Sequence, residues 1–415
     1  MLFERPNIGE SAVLVSVHLE NSPVPDHNEL VELAKSAGLV VAETMEVKRD
    51  RANPKWFVGK GKLEEIRDNL AKQKAGLLIL NNELSAGQQR NIESALDCRV
   101  VTRTELILMI FADRALSHEG QLQVELAQLK HAQTRLVKGW THLDRQKGGI
   151  GFRGAGEKQV ELDKRMLSER VKFHEKKLEH LAKNRRQNRR LRQNNATQTI
   201  ALVGYTNAGK SSLFNKLSGA NALVEDKLFA TLDPTIRRID LPGVRESMLA
   251  DTVGFVSQLP HQLVEAFHST LEEVVGADLL LHVVDISDPD YEVRIDQVRE
   301  VLEQIDAGNI PELMVYNKID LIEDSGYLND IDKPGVCISV KNQYGLDELR
   351  KGIATVIGVY SPYQYKLRPG DGATRAWLYR KGAVIEERVK DDGYFDLTLR
   401  GDPSLIKELK IRTLS

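Results

Sequence analysis

Over the first hundred residues, apolar runs and amphipathic stretches alternate in a way that predicts strands and helices in turn. Short runs rich in Val, Leu and Ile predict strands at Ala12 to Val17, Leu39 to Val47, Leu77 to Asn81 and Arg99 to Thr102. Between them, apolar positions recurring at helical intervals predict helices at Asn28 to Ala37, Lys62 to Lys74 and Ala86 to Leu96. This alternation reads as a small α/β domain over residues 1–113. From Glu119 to Leu143 the pattern changes: Leu122, Leu126, Leu129, Leu136 and Leu143 recur at helical spacing, and a second helical pattern begins near Glu157. Two antiparallel helices are the simplest solution, giving a long hairpin over residues 114–196. Strand and helix alternate again over residues 197–360, which predicts a doubly wound parallel sheet. Beyond Ser361, the segments Trp377-Leu378-Tyr379, Ala383-Val384-Ile385 and Tyr394 to Leu397 alternate as strands would. A helix near Ser404 to Leu409 completes a small α+β domain over residues 361–415.

The third unit carries the chemistry. Gly204-Tyr205-Thr206-Asn207-Ala208-Gly209-Lys210-Ser211 lies between the apolar strand Thr199 to Val203 and a helix opening at Ser212. Glycines let the backbone wrap an anion and its amides donate to phosphate oxygens. Lys210 can reach the outer phosphates, and the Ser211 hydroxyl can hold Mg²⁺. A plain glycine turn would leave the lysine and serine at these spacings unexplained. Downstream, Met248-Leu249-Ala250 runs into Asp251-Thr252-Val253-Gly254, where Asp251 suits Mg²⁺ through water and the Gly254 amide suits a γ-phosphate. A strand from Glu312 to Tyr316 ends in Asn317-Lys318-Ile319-Asp320. The Asp320 carboxylate matches the paired N–H donors of guanine and would be left unpaired by adenine. A strand from Gly335 to Ser339 leads into Ser339-Val340-Lys341, which fits a last base-contacting element. In this order the motifs imply a P-loop domain that takes GTP as substrate.

Between the first two motifs lies Phe229-Ala230-Thr231-Leu232-Asp233-Pro234-Thr235, where a switch loop closes over Mg²⁺. Spacing leaves Thr231 and Thr235 in competition; resemblance to GTPases with a Phe-x-Thr-Leu segment favours Thr231. Lys210, Thr231 and Gly254 are thus expected to act on the transferred phosphate. After Gly254, where many GTPases place a glutamine that orients water, the chain has Phe255, which implies slow intrinsic hydrolysis. Asn207 resembles the asparagine that coordinates K⁺ in cation-activated GTPases, and equally suits a tight turn.

Net charge is only −2 in 415 residues, but from Lys164 to Arg192 the lysines and arginines greatly outnumber the glutamates. The run ends in Lys183-Asn184-Arg185-Arg186-Gln187-Asn188-Arg189-Arg190-Leu191-Arg192. Such runs are often solvated helix faces, yet concentrated positive charge also suits RNA phosphate. The hairpin connection, Lys147 to Glu157, is glycine-rich and carries Phe152 and Arg153, which could probe folded RNA by stacking and charge. Gly149, Phe152, Arg153, Arg185, Arg186, Arg189 and Arg190 are the candidate RNA contacts. Val58-Gly59-Lys60-Gly61-Lys62 reads as a basic turn opening a helix rather than a second phosphate loop. The histidines show no metal-ligand spacing, and the amino-terminal unit shows no catalytic constellation. Cys98 and Cys337 read as buried, reduced thiols. No apolar run suffices for a membrane span and no signal-peptide pattern is present, so a cytoplasmic protein is expected.

Gly148 to Gly156, with Glu157-Lys158-Gln159-Val160-Glu161-Leu162-Asp163-Lys164-Arg165 after it and the nucleotide motifs beyond, closely resembles the HflX family of ribosome-associated GTPases, in the Obg-HflX group. Leu259 to Phe267 also fits it. The resemblance covers nearly the whole chain. It implies a monomeric factor that binds the large (50S) ribosomal subunit, with the hairpin tip on 23S rRNA near the peptidyl transferase centre. It also implies splitting of stalled or idle 70S ribosomes, often under heat stress, with slow hydrolysis stimulated by the ribosome. Two other readings compete: a signalling-type switch whose flanks bind a protein partner, and a GTP-powered nucleic-acid-modifying enzyme. The basic hairpin argues against the first, and the lack of a second catalytic constellation argues against the other.

Overall fold

The computed structural model describes the chain apart from residues 1–6, 8, 21, 23–25, 141–154, 195–196, 220–227, 230, 243, 245, 258–270, 323–333, 358–362, 391–392, 400–404, 407–408, 410–411 and 413–415, and apart from the side chains of residues 136–140, 155–161, 163, 184–186 and 188–194. The first sheet contains β1 (Ser11–Leu19), β2 (Val40–Arg49), β3 (Leu77–Leu80) and β4 (Arg99–Thr102), all parallel in the order β2-β1-β3-β4. Helices α1 (His27–Ser36) and α4 (Arg103–Arg114) cover one face; α2 (Lys60–Gln73) and α3 (Ala86–Leu96) cover the other. Alternate residues of β1 divide between the two cores, Ala12 and Leu14 to one and Val13, Val15 and Val17 to the other. Burial on both faces is why these strands read as continuous apolar runs. The basic turn does open α2, which begins at Lys60 after Gly59.

Helix α4 has no counterpart in the periodicity. Every residue from Arg103 to Phe111 is buried, so the helix has no polar face to create a helical repeat. Its signal is local instead: Thr102 and Glu105 cap the helix start reciprocally. Helices α5 (His118–Trp140) and α6 (Ala155–Asn194) form the hairpin, with Leu122, Leu126 and Leu129 against Val171 and Leu178. The side chain of Leu136 and all of Leu143 lie outside the described residues.

The second sheet contains β5 (Gln198–Val203), β6 (Thr235–Ile239), β7 (Ser247–Asp251), β8 (Leu279–Asp285), β9 (Glu312–Asn317) and β10 (Val336–Cys337), in the order β10-β9-β8-β5-β7-β6. It is mixed rather than wholly parallel, because β6 runs antiparallel to β7. The short connection between those two strands leaves no room for a crossover helix. Helices α7 (Lys210–Ser218) and α9 (Leu346–Val356) pack on one face, and α8 (Tyr291–Gln304) packs on the other.

A third, antiparallel sheet of β11 (Tyr363–Leu367), β12 (Val384–Val389) and β13 (Phe395–Leu399) has the order β11-β13-β12. Here Trp377-Leu378-Tyr379 is helical, within α10 (Gly372–Arg380), rather than a strand. Trp377 and Leu378 are both buried, which adjacent residues of a one-sided strand would not be. Leu405 and Leu409 join this core, while much of the predicted terminal helix lies outside the described residues. Cys98 and Cys337 are free, as expected, but only half-buried.

The core over α1, α4 and α5 does not stop at the amino-terminal units. Leu228, Phe229 and Leu232, from before β6, and Val253 and Val256, from after β7, complete it. Phe229 meets Phe111 of α4 edge-to-face, with ring centroids 4.5 Å apart. Phe111→Ala should therefore cost roughly 3–5 kcal/mol of stability, since a fully buried ring is replaced by a cavity. Chemical denaturation followed by tryptophan fluorescence checks this, and an unchanged midpoint would contradict the packing.

Candidate nucleotide site

The phosphate-loop sequence forms a tight turn because two glycines take conformations closed to other residues. Gly204 has φ +146° and a Cβ there would strike the Val283 carbonyl; Gly209 has φ +94° and a Cβ would strike the Asn317 amide. Lys210 opens α7, and its Nζ donates to the carbonyls of Gly204 at 3.0 Å and Tyr205 at 2.6 Å. Burial lowers the Lys210 amine to about 8, against the opposing pull of Asp251.

Three oxygens expected around Mg²⁺ converge beside the lysine. Ser211 Oγ lies 2.8 Å from Thr231 Oγ1, which donates to Asp251 Oδ2 at 2.9 Å. Burial pushes the Asp251 carboxyl up, against the bonds from Ser211 and Thr231 and the charge of Lys210. Its second oxygen, Oδ1, is buried without a hydrogen-bond partner among the described residues, as is Thr206 Oγ1. A hard cation suits this all-oxygen set with its unused buried acceptor. Thr235, the rival of Thr231, lies in β6 opposite Asp251 in the ladder. Gly254 passes so close that a Cβ would lie 3.0 Å from Lys210 Nζ.

At the other end, Asn317 fastens the site together. Its Nδ2 donates to the Ala208 carbonyl at 2.9 Å, and its Oδ1 accepts from Val340 N–H at 3.2 Å. Ser339 Oγ donates to Asp320 at 2.6 Å, and Lys318 pairs with Asp285 at 2.7 Å. Ile319 and Asp320 stand in a 3-10 turn. A cavity of about 570 Å³ runs from Thr206, Asn207, Gly209, Lys210 and Ser211 past Phe229, Thr231, Thr252 and Gly254 to Asn317, Lys318, Asp320, Val340 and Lys341. Asn215 and Lys216 of α7 line it as well, which the motifs do not reveal. A phosphate-binding end and a carboxylate-bearing end in one cleft suit a nucleoside triphosphate.

Several expected contacts turn elsewhere. Leu232 and Val253 are buried in the amino-terminal core, and Asp233 binds the start of α5. Phe255 is 3% exposed beneath the phosphate loop, its N–H on Gly204 and its carbonyl on Thr206. Ala230, Gly149, Phe152 and Arg153 lie outside the described residues, as do the side chains of Arg185, Arg186, Arg189 and Arg190 on α6.

Tyr205 turns away from the cavity into a polar interface that the sequence does not announce. Its hydroxyl donates to Glu29 and accepts from Ser257 N–H at 2.7 Å and from Arg294 at 3.1 Å. Burial, with the neighbouring Glu29 charge, holds the phenol far above its usual range. Glu29 pairs with Arg103 at 2.7 Å, and both are buried; Arg103 also donates to Asn81 and to the Ser257 carbonyl. Arg294 pairs with Asp26, whose carboxyl burial would raise but which this pairing holds below the usual range. The amino-terminal unit therefore supplies charged groups to the nucleotide domain.

The lowered Lys210 pKa carries a consequence. Its 10.5 reference lies above the value of about 8 in the free protein, so above that pH the free amine is largely neutral. A bound polyphosphate favours the ammonium, so binding there takes up a proton. The guanine-nucleotide Kd should rise by up to about tenfold per pH unit above this point. Titration calorimetry in buffers of different ionisation enthalpy checks it; a Kd flat with pH and no proton uptake would contradict it.

Three family models match along the chain. They are described as GTP-binding GTPase N-terminal, over residues 25–112, GTP-binding GTPase Middle Region, over residues 114–192, and 50S ribosome-binding GTPase, over residues 199–318. GTPase HflX of Escherichia coli (strain K12) is 45% identical over 405 residues, covering 96% of this chain and 95% of the relative. GTPase HflX of Caldanaerobacter subterraneus subsp. tengcongensis is 47% identical over 393 residues, covering 92% and 89%. The crystal structure of a GTP-binding protein from the archaeon Sulfolobus solfataricus in complex with GDP is 25% identical and covers 84% of this chain and 98% of that one, at a TM-score of 0.45. Among the described residues, no helix is long and apolar enough to cross a membrane. Identity at this level over nearly the full length of both chains shows that the protein belongs to the HflX family of GTPases and hydrolyses GTP.

Proposed function

We propose that this GTPase is a cytoplasmic, monomeric ribosome factor that binds the large subunit and splits stalled or idle 70S ribosomes, with heat stress among its occasions. The observation that carries the reading is the shared core. The segments before β6 and after β7, which border the nucleotide cavity through Thr231 and Gly254, also complete the core of the amino-terminal unit and α5. A change at the γ-phosphate therefore bears directly on how the hairpin is held. The description 50S ribosome-binding GTPase of the family model over residues 199–318 supports this choice of partner. The hairpin would reach 23S rRNA near the peptidyl transferase centre through Gly149, Phe152 and Arg153 at its tip, and through Arg185, Arg186, Arg189 and Arg190 on α6.

In this reading the loop amides of residues 204–211 and Lys210 hold the phosphates. Ser211 and Thr231, with Asp251 through water, are the residues that would hold Mg²⁺, which when bound neutralises charge on the phosphates. The Gly254 amide meets the γ-phosphate. Asn317, Lys318, Asp320 and the segment 339–341 hold guanine, with the Asp320 carboxylate on its N–H donors. Phe255 offers no group to orient the attacking water, since its ring is buried beneath the loop. Hydrolysis is accordingly slow until the ribosome, or a cation, completes the site. Splitting itself draws on tighter binding to the separated subunit than to the intact ribosome, because equal affinities shift no equilibrium.

Asn207 stands at φ +61° at the cavity, and its side-chain oxygen is the group that would hold K⁺. Turnover should be faster in potassium than in sodium at equal ionic strength, and equal rates would remove this cation. Cosedimentation with ribosomal subunits tests the wider reading. Binding to the large subunit should be stronger with a non-hydrolysable GTP analogue than with GDP and should weaken with salt. One round of splitting should proceed with the analogue. No association with the large subunit in either nucleotide state would overturn the reading.

A further inference from the structure

Thr231, Leu232 and Asp233 are consecutive, yet each is anchored in a different unit. The Thr231 hydroxyl binds Ser211 and Asp251 in the nucleotide site, and Leu232 is buried in the amino-terminal core. The Asp233 carboxylate crosses to the hairpin, where it accepts the N–H of Leu116 at 3.0 Å and of Ser117 at 2.7 Å, together with the Ser117 hydroxyl. Ser117 Oγ in turn accepts from Gly120 N–H at 2.9 Å, so helix α5 already has a local cap without the aspartate. Gly120 adds an independent sign. It is buried in the first helical turn, where glycine is a poor helix former, and a Cβ there would strike the Asp233 carboxylate. The glycine clears the path of a side chain from more than a hundred residues away.

We propose that Asp233 is a positioning residue for GTP hydrolysis: it ties the chain that carries Thr231 to the start of hairpin helix α5, so that the hairpin and the catalytic threonine move together. The proposal rests on the nucleotide-site reading above. Only Leu232 lies between Thr231 and Asp233, a two-step span of about 7 Å at full extension, too short to absorb a displacement of α5. Leu116 and Ser117 are exposed, so the contact between carboxylate and helix end is screened and modest in strength.

Turnover and nucleotide binding of Asp233→Ala, Asp233→Asn and Gly120→Ala in the full chain test it, with hydrogen exchange at residues 116–121. Asp233→Ala should lower kcat by roughly three- to tenfold, the kinetic equivalent of one carboxylate at a helix end. KM and GDP affinity should not change. Asp233→Asn, which keeps an acceptor, should recover part of the rate. Gly120→Ala should strengthen the helix yet reproduce the slow turnover, an outcome that a purely structural cap would not give. Protection of residues 116–121 that the wild type gains with a non-hydrolysable GTP analogue over GDP should be lost in Asp233→Ala. Wild-type turnover in both Asp233→Ala and Gly120→Ala, or a loss confined to Asp233→Ala, would reduce the aspartate to a helix cap and overturn the proposal. If the wild type itself bound no guanine nucleotide, the nucleotide-site reading would fail and this proposal with it; the wild-type titration tells that case from the others.

Discussion

One segment of chain cannot satisfy two folded units independently, and residues 228–233 are that segment. Leu228, Phe229 and Leu232 are buried among α1, α4 and α5, while Thr231 between them binds Ser211 and Asp251. The residue facing the nucleotide and those facing the amino-terminal core are neighbours in the chain, so neither can shift alone. The segment after β7 repeats the arrangement: Gly254 borders Lys210 while Val253 and Val256 enter the same core. In many switch proteins such loops lie on the surface; here they are interior walls.

The polar contacts at this interface work against its apolar ones. Burying Leu228, Phe229, Leu232, Val253 and Val256 contributes on the order of 10 kcal/mol gross, at about 1.5–3 kcal/mol for each side chain. Moving a two-state equilibrium from one side to the other needs a ligand preference of about 5.5 kcal/mol. A purely apolar interface of that strength would be hard for a phosphate group to open. Beside it lie Glu29 and Arg103, both nearly inaccessible, with Tyr205, Ser257, Arg294 and Asp26 around them. Desolvating such ions costs several kcal/mol each, which their pairing only partly returns. That penalty lowers the net strength of the interface toward the scale of a ligand's preference.

The nucleotide site was legible because its chemistry is local. Loop 204–211, Asp251 to Gly254 and Asn317 to Asp320 each hold their residues within a few positions, and β-strands carry them to one edge of a sheet. The polar interface was not legible, because Asp26 and Glu29 at the start of α1, with Arg103, Tyr205, Ser257 and Arg294, come from five separate places along the chain. Tyr205 is the instructive residue: it lies within the most recognisable motif of the chain, yet its hydroxyl serves the other domain. Burial explains the fold-level misses. Helix α4 is enclosed on all sides and so lost its helical repeat, and β6 joined a parallel sheet antiparallel because its link to β7 is short. Trp377 to Tyr379 alternates over too few positions for strand and helix to be told apart.

The slow hydrolysis proposed above and the buried switch segments would share one cause. Phe255 pairs its backbone with Gly204 and Thr206 and sinks its ring among Ala201, Val203 and Leu280. That placement fixes the turn that delivers Val256 to the amino-terminal core and Ser257 to Glu29 and Arg103. A polar side chain aimed at the cavity from position 255 would give up this anchor. The residue that could orient water and the one that fastens the second switch segment compete for a single position, and in this chain the fastening prevails. On the function proposed above, the water-orienting group would come from outside that position, and the same interface that occupies position 255 would couple its arrival to the switch segments.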